Sequence, residues 1–97
     1  MFFKIHQSYR AVVALCDKDI IGKRFEEGNM QLDLRENFYK GEHVTHEEAV
    51  RRIRFYIKED ATFNIVGTKS VKAAIAAGIT SEEHVGRVSG IPFVLIL

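Results

Sequence analysis

Cysteine occurs once, as Cys16, which excludes an internal disulfide and points to a reducing compartment. Neither sign of charge is in excess. Lys and Arg number 14 against 13 Asp and Glu, a formal net charge of +1, so nothing global argues for nucleic acid or an acidic membrane surface. Any basic footprint must be local. Long apolar runs are missing too: the longest, IPFVLIL at 91–97, is far too short to span a bilayer as a helix. The first residues, MFFKIHQSYR, do not read as a signal peptide, because Lys4 and His6 interrupt any apolar stretch. There is no repeat, linker or low-complexity segment. These absences predict a cytoplasmic protein without membrane contact. What is present, 97 residues with 46 % hydrophobic and 28 % charged, is the composition of one ordinary globular domain, 1–97, with a modest core.

Apolar periodicity organises the chain. FFKIHQ (2–7) has strand character, with Phe3 and Ile5 on one face. AVVALC (11–16) is a continuous small apolar run and reads as a central strand buried on both faces, joined to the first as a hairpin. Residues 17–29 and 35–43, rich in charge and glycine, read as irregular excursions. Between them MQLDL (30–34) alternates, which turns Met30, Leu32 and Leu34 inward. A helix begins at Thr45-His46-Glu47-Glu48, a capping box, with Ala49, Val50, Ile53, Tyr56 and Ile57 on its buried face. FNIV (63–66) is a short strand. A second helix covers 68–77, with Val71, Ala74 and Ile75 inward and Gly78 as its left-handed stop. Residues 80–85 suit one more helical turn, and 86–97 a final strand with Pro92 at its start or at a bulge. The pattern predicts a single α+β domain: a mixed, mostly antiparallel sheet packed by two helices over about 45–59 and 68–77.

Several of these segments together resemble a known family. AVVALCDKDIIGKRFEEG, NFYKGE, EEAVRRI, FNIVGTKSVKAAIAAGI and SGIPF are similar to the small archaeal family called domain of unknown function 424, over nearly the whole chain. The resemblance implies an archaeal cytosolic protein of no established activity. It also implies a setting near translation factors, and hence near RNA. It carries over no catalytic residue.

The stretch NIVGTKSVKAAIAAG (64–78) looks at first like a nucleotide-binding turn. A Walker loop needs glycine, four residues, then Gly-Lys-Ser/Thr. If Lys69 is the lysine, Thr68 and Phe63 stand at the glycine positions. If Gly67 is the second glycine, Thr68 stands where lysine belongs. Both registers fail. What survives is a strand-to-helix turn whose free amides, with Gly67, Thr68, Lys69 and Ser70, could hold an anion. The plainer alternative is that Thr68 caps the helix and Lys69 is solvated.

On the first helix, steps of about 100° place Phe55 opposite the core-facing Ile53, with Arg51 and Lys58 flanking it and Arg52 and Arg54 bordering the core-facing stripe; Arg51, Arg54, Phe55 and Lys58 form the candidate contact set. An aromatic among cations can stack a base while the cations hold phosphates. The same patch suits a protein partner, and a cover from within the chain would abolish both roles. Cys16, Asp17, Gly22 and Lys23 follow or border a buried strand and could line a small polar pocket. Cys16 is a nucleophile candidate only if exposed and activated. His6, His43 and His46 with Cys16 do not have a spacing that brings four ligands onto a metal, so no metal and no cofactor are expected. The apolar PFVLIL must be hidden, as an inner strand or by pairing with a second copy. The sequence thus favours a non-enzymatic binding module, with a protein-interaction adaptor or homo-oligomer as the alternative and a small-ligand protein or enzyme using the pocket near residues 16–23 as the further one. Its expected partners are RNA or a protein of the translation machinery, or else a second copy in a homodimer.

Overall fold

The run Val12–Cys16 forms β2, an inner strand of a six-stranded sheet in the computed structural model, which describes residues 1–97. Val13 and Leu15 belong to the core on one face of the sheet, Ala14 and Cys16 to the core on the other, and all four are fully buried. With both faces covered, no polar residue can alternate along this segment. β1 (Phe2–His6) pairs antiparallel with β2, setting Phe2 opposite Cys16 and His6 opposite Val12. On the other side β6 (Thr62–Val66) runs parallel, with Cys16 beside Val66. β8 (Ile91–Ile96) lies antiparallel to β6, and β7 (Gly86–Val88) pairs with the first half of β8. The two-residue β5 (Glu42–His43) flanks β1, so the order is β5-β1-β2-β6-β8-β7.

A parallel pair needs a long crossover, and the chain between β2 and β6 supplies both covering layers. Its first part is a separate hairpin, β3 (Arg24–Glu27) with β4 (Met30–Asp33), followed by the single turn α1 (Glu36–Tyr39). Ile20, Leu34 and Tyr39 from this part pack over Ala14, Cys16 and Val66. Its second part is α2 (His46–Lys58), which with α3 (Thr68–Ala77) covers the opposite face over Phe3, Val13, Leu15, Phe63 and Ile65. The fold is α+β, and its two main helices lie where the periodicity places them.

The local readings differ from the structure at four points. Residues 17–29 are not wholly irregular: Arg24–Glu27 is a strand, masked because only Phe25 turns inward among charged neighbours. Residues 35–43 likewise contain α1 and β5. Met30, beside the hairpin turn, is exposed, and so is Ile57 in the last turn of α2, which leaves Ala49 and Ile53 as that helix's buried residues. Residues 86–97 are two strands, because Ser89 and Gly90 both take positive φ, 51° and 78°, and reverse the chain. Gly86 is the one residue β7 can set beneath Phe93, since a Cβ there would lie 2.5 Å from the ring.

The start of α2 follows its local signal. The Glu48 amide donates to Thr45 Oγ1 at 3.1 Å, and the Thr45 amide donates to Glu48 Oε1 at 3.0 Å. These bonds hold the Glu48 carboxyl below its ordinary value of 4.5. A depressed folded value adds stability above the unfolded one and loses it as pH falls through the folded one. Thr45→Ala is expected to cost about 1 kcal/mol at neutral pH by urea denaturation. The deficit of Glu48→Gln should shrink as the pH is lowered below 4.5; a deficit equal at acid and neutral pH would contradict this account.

Candidate functional site

The N-terminus of α3 sits where the parallel strands β2 and β6 end, the usual place for an anion in such a crossover. Here the anion belongs to the chain. Asp17 directly follows β2, and its amide extends the ladder to the Val66 carbonyl at 3.1 Å. Its carboxylate turns to the helix. Oδ2 accepts from the Lys69 amide at 2.9 Å, while Oδ1 accepts from the Ser70 amide at 2.8 Å and Ser70 Oγ at 2.7 Å. Asp17 is only 6 % exposed and Ser70 not at all. Gly67, at φ 112°, makes the approach possible, for a Cβ there would lie 2.3 Å from Asp17 Cγ. Two of the amides expected to hold an external anion are therefore already engaged. Thr68 does not cap the helix: Gly67 holds the cap position and Asp17 supplies the acceptors.

Of the four residues expected to line a pocket, only Asp17 borders one. An open depression of about 460 Å³ is lined by Met1, Asp17, Lys18, Asp19 and Lys69. Gly22 and Lys23 are tied to β4's end instead, through Gly22 N–H to the Leu34 carbonyl at 2.7 Å and Leu34 N–H to the Lys23 carbonyl at 2.9 Å. Cys16 is fully buried. Burial, followed by the carboxylates of Asp17 and Asp19, pushes its thiol up to about 12, which makes it a core residue and not a nucleophile. The histidines stay apart: His6 Nε2 lies 2.8 Å from the Phe38 carbonyl oxygen, His43 packs on Phe2, and His46 is exposed on α2.

The outer face of α2 is open. Phe55 is 56 % exposed and meets Tyr56 edge-on at 5.0 Å, with no loop or terminal segment over it. Arg51 lines the same groove as Phe55, and Arg51, Arg54 and Lys58 are all exposed with none in an ion pair; Arg54 turns to α3, where it donates to the Ala76 carbonyl at 3.2 Å. Arg52 behaves otherwise. It makes paired bonds of 2.8 and 2.9 Å to Glu42 and lies over the Phe3 ring at 5.1 Å. That fork draws the Glu42 carboxyl below its ordinary value and raises Arg52. Phe3, Ile5, Glu42, Arg51, Arg52, Phe55 and Tyr56 together line a groove of about 510 Å³ between β1 and α2. The residues on the β1 side of this groove have no sequence signal near α2, because sheet pairing alone brings them there.

β8 is an inner strand between β6 and β7, yet β7 covers only its first three residues, and Leu95 and Leu97 beyond them are 55 % and 84 % exposed. No helix is long and apolar enough to cross a membrane.

A family profile described as "Protein of unknown function (DUF424)" matches residues 5–97. Among solved structures, the chain is similar to an uncharacterized conserved protein from Methanopyrus kandleri, at 27 % identity and a TM-score of 0.88, covering 98 % of this chain and 88 % of that one. No curated protein matches it.

Asp17→Ala leaves buried amide donors and the Ser70 hydroxyl without acceptors and is expected to cost about 3 kcal/mol in urea denaturation; a loss below about 1 kcal/mol would rule out the carboxylate as the helix cap. Cys16 should resist a disulfide reagent such as dithionitrobenzoate in the native protein and react fully only in denaturant. Stoichiometric labelling of the folded chain at neutral pH would contradict its burial.

Proposed function

Because the chain belongs to the DUF424 family, described as of unknown function, its surface must carry the functional reading, and we propose that it is a binding module that takes single-stranded RNA on the outer face of α2. The observation that carries this reading is the exposed Phe55 ring on the helix face that carries Arg51, Arg54 and Lys58, cations that form no ion pair. A base stacked on an aromatic is held whatever its identity, while cations on either side take the phosphates. Two of the nearby acids are spent elsewhere, Glu42 on Arg52 and Glu48 on the helix cap. Glu47 and Glu59 remain on the exposed side and moderate the field. The groove beside Phe55 offers room for a base between Tyr56 and the sheet edge. The translation-associated setting implied by the family resemblance supports RNA over other polyanions.

A second reading, self-association, draws on the unpaired outer end of β8, where Leu95 and Leu97 lie in the open. A strictly monomeric mass by light scattering at high concentration would exclude it.

Fluorescence anisotropy with a short labelled single-stranded RNA tests the first reading. Binding should weaken with salt at a log–log slope of about −2, from roughly −0.7 for each of three phosphate contacts. Arg51→Glu with Lys58→Glu should abolish it, and Phe55→Ala should cost about 1–3 kcal/mol. Absence of salt-sensitive binding, or unchanged binding by the charge-reversed protein, overturns the proposal.

A further inference from the structure

On the face of the sheet away from α2 and α3, a second cleft of about 400 Å³ opens between the β3–β4 hairpin and β6–β8. Leu32 borders it from the hairpin, and Val66, Phe93 and Leu95 from the sheet. The hairpin is held at a fixed standoff. At one end the positive φ of Ser89 presents its amide to Glu27 Oε1 at 2.6 Å and its hydroxyl to the Glu26 carbonyl at 2.7 Å. At the other, Leu34 is bonded to Gly22 and Lys23 through the backbone.

Two polar side chains in this apolar setting have no partner in the protein. Asn64 stands in the middle of β6, between Ala14 and Leu95 on the neighbouring strands, and its carboxamide makes no hydrogen bond. Tyr39 is only 8 % exposed, and its hydroxyl makes none either. No polar side-chain atom of the chain is both buried and unpaired, so both groups meet open space, and the cleft is the space they line. The other polar residues on its wall are occupied: Gln31 accepts from Arg24 at 2.7 Å and Asp33 from Arg35 at 2.9 Å. No Lys or Arg lines it and the Asp33 carboxylate does, so the wall disfavours an anion. An apolar pocket with a few convergent polar groups is the usual form of a small-molecule site.

We propose that this cleft binds a small uncharged aromatic compound bearing an amide-like edge, an acceptor atom beside a donor. The Tyr39 O–H donates to the acceptor, and the Asn64 carboxamide pairs with the edge in both senses. Burial, then the Cys16 thiol, raises the Tyr39 phenol to about 12, so it remains a donor at neutral pH. The ring lies against Val66, Phe93 and Leu32. The site shares no residue with the α2 face and stands independently of the RNA reading.

Titration of the whole isotope-labelled chain with nicotinamide and benzamide, with benzoate as the anionic analogue, tests it by two-dimensional NMR. The expected result is saturable shifts of the Asn64 side-chain amide and the Leu32 and Leu95 methyls with both amides, and at least about tenfold weaker binding of benzoate, one lost hydrogen bond plus an unpaired charge. Tyr39→Phe and Asn64→Leu, each checked for native methyl shifts elsewhere, should weaken binding about fivefold. Arg51→Glu with Lys58→Glu should leave it unchanged. No saturable shift of those signals with either amide up to its solubility, shifts confined to α2, or wild-type affinity in both cleft variants overturns the proposal.

Discussion

The carboxylate of Asp17 ties the two halves of this fold together. It leaves the end of β2, reaches the first turn of α3 across 53 residues of sequence, and satisfies the amides of Lys69 and Ser70 and the hydroxyl of Ser70. Helix N-termini carry orphan donors and a partial positive charge, so a buried one needs an acceptor. Gly67 exists to admit that acceptor, since any side chain there would occupy the same space. The place of the first turn of α3 beside the end of β2 and the burial of Ser70 rest on this contact. It also directs attention elsewhere for function, because the place where a phosphate would sit is filled from within.

The two sides of the sheet are covered by different means. Helices on one side leave their outward faces free, and there Glu48 and Glu42 are drawn into local bonds while Arg51, Lys58 and Phe55 are not. The other side is roofed by a small hairpin that does not close fully on the sheet, so a cleft remains with a phenol and a carboxamide at its edge. One side thus presents exposed cations and an open ring, the other an open, mostly apolar cleft.

How much of this was legible depends on the range of each interaction. The capping box at Thr45, the periodicity of Ala49 and Ile53, and the outward place of Phe55 on its helix are consequences of neighbours three or four residues away, and the sequence shows them directly; that no other segment covers Phe55 it does not show. The double burial of Val12–Cys16 is legible for the same reason, because an unbroken apolar run records its surroundings residue by residue. The Asp17 cap is not, since its partners lie in another helix. The one local sign was that α3 has glycine where a capping side chain belongs. The charged β3 strand and the Ser89 turn were hidden by composition, although Gly28-Asn29 and Ser89-Gly90 are the dipeptides that reverse strands. Arg52 was visible as a cation beside the core stripe, but its commitment to Glu42 depends on β5 joining the sheet. Asn64 was visible too, as a polar residue in a strand, with nothing to say which face it served.

The place of β8 has a consequence for how the chain reaches this structure. Residues 91–96 sit against β6, and the turn that precedes them holds the hairpin made from residues 24–33. Pairings so distant in sequence close late and slowly, because the loop entropy is lost before the contacts return it. On a ribosome, β1, β2 and the hairpin emerge first and must wait with an exposed flank on β6 until the last strand follows. Folding of this domain is therefore expected to complete only once residues 91–96 have emerged, with β6 left as an unpaired edge of the sheet in the meantime.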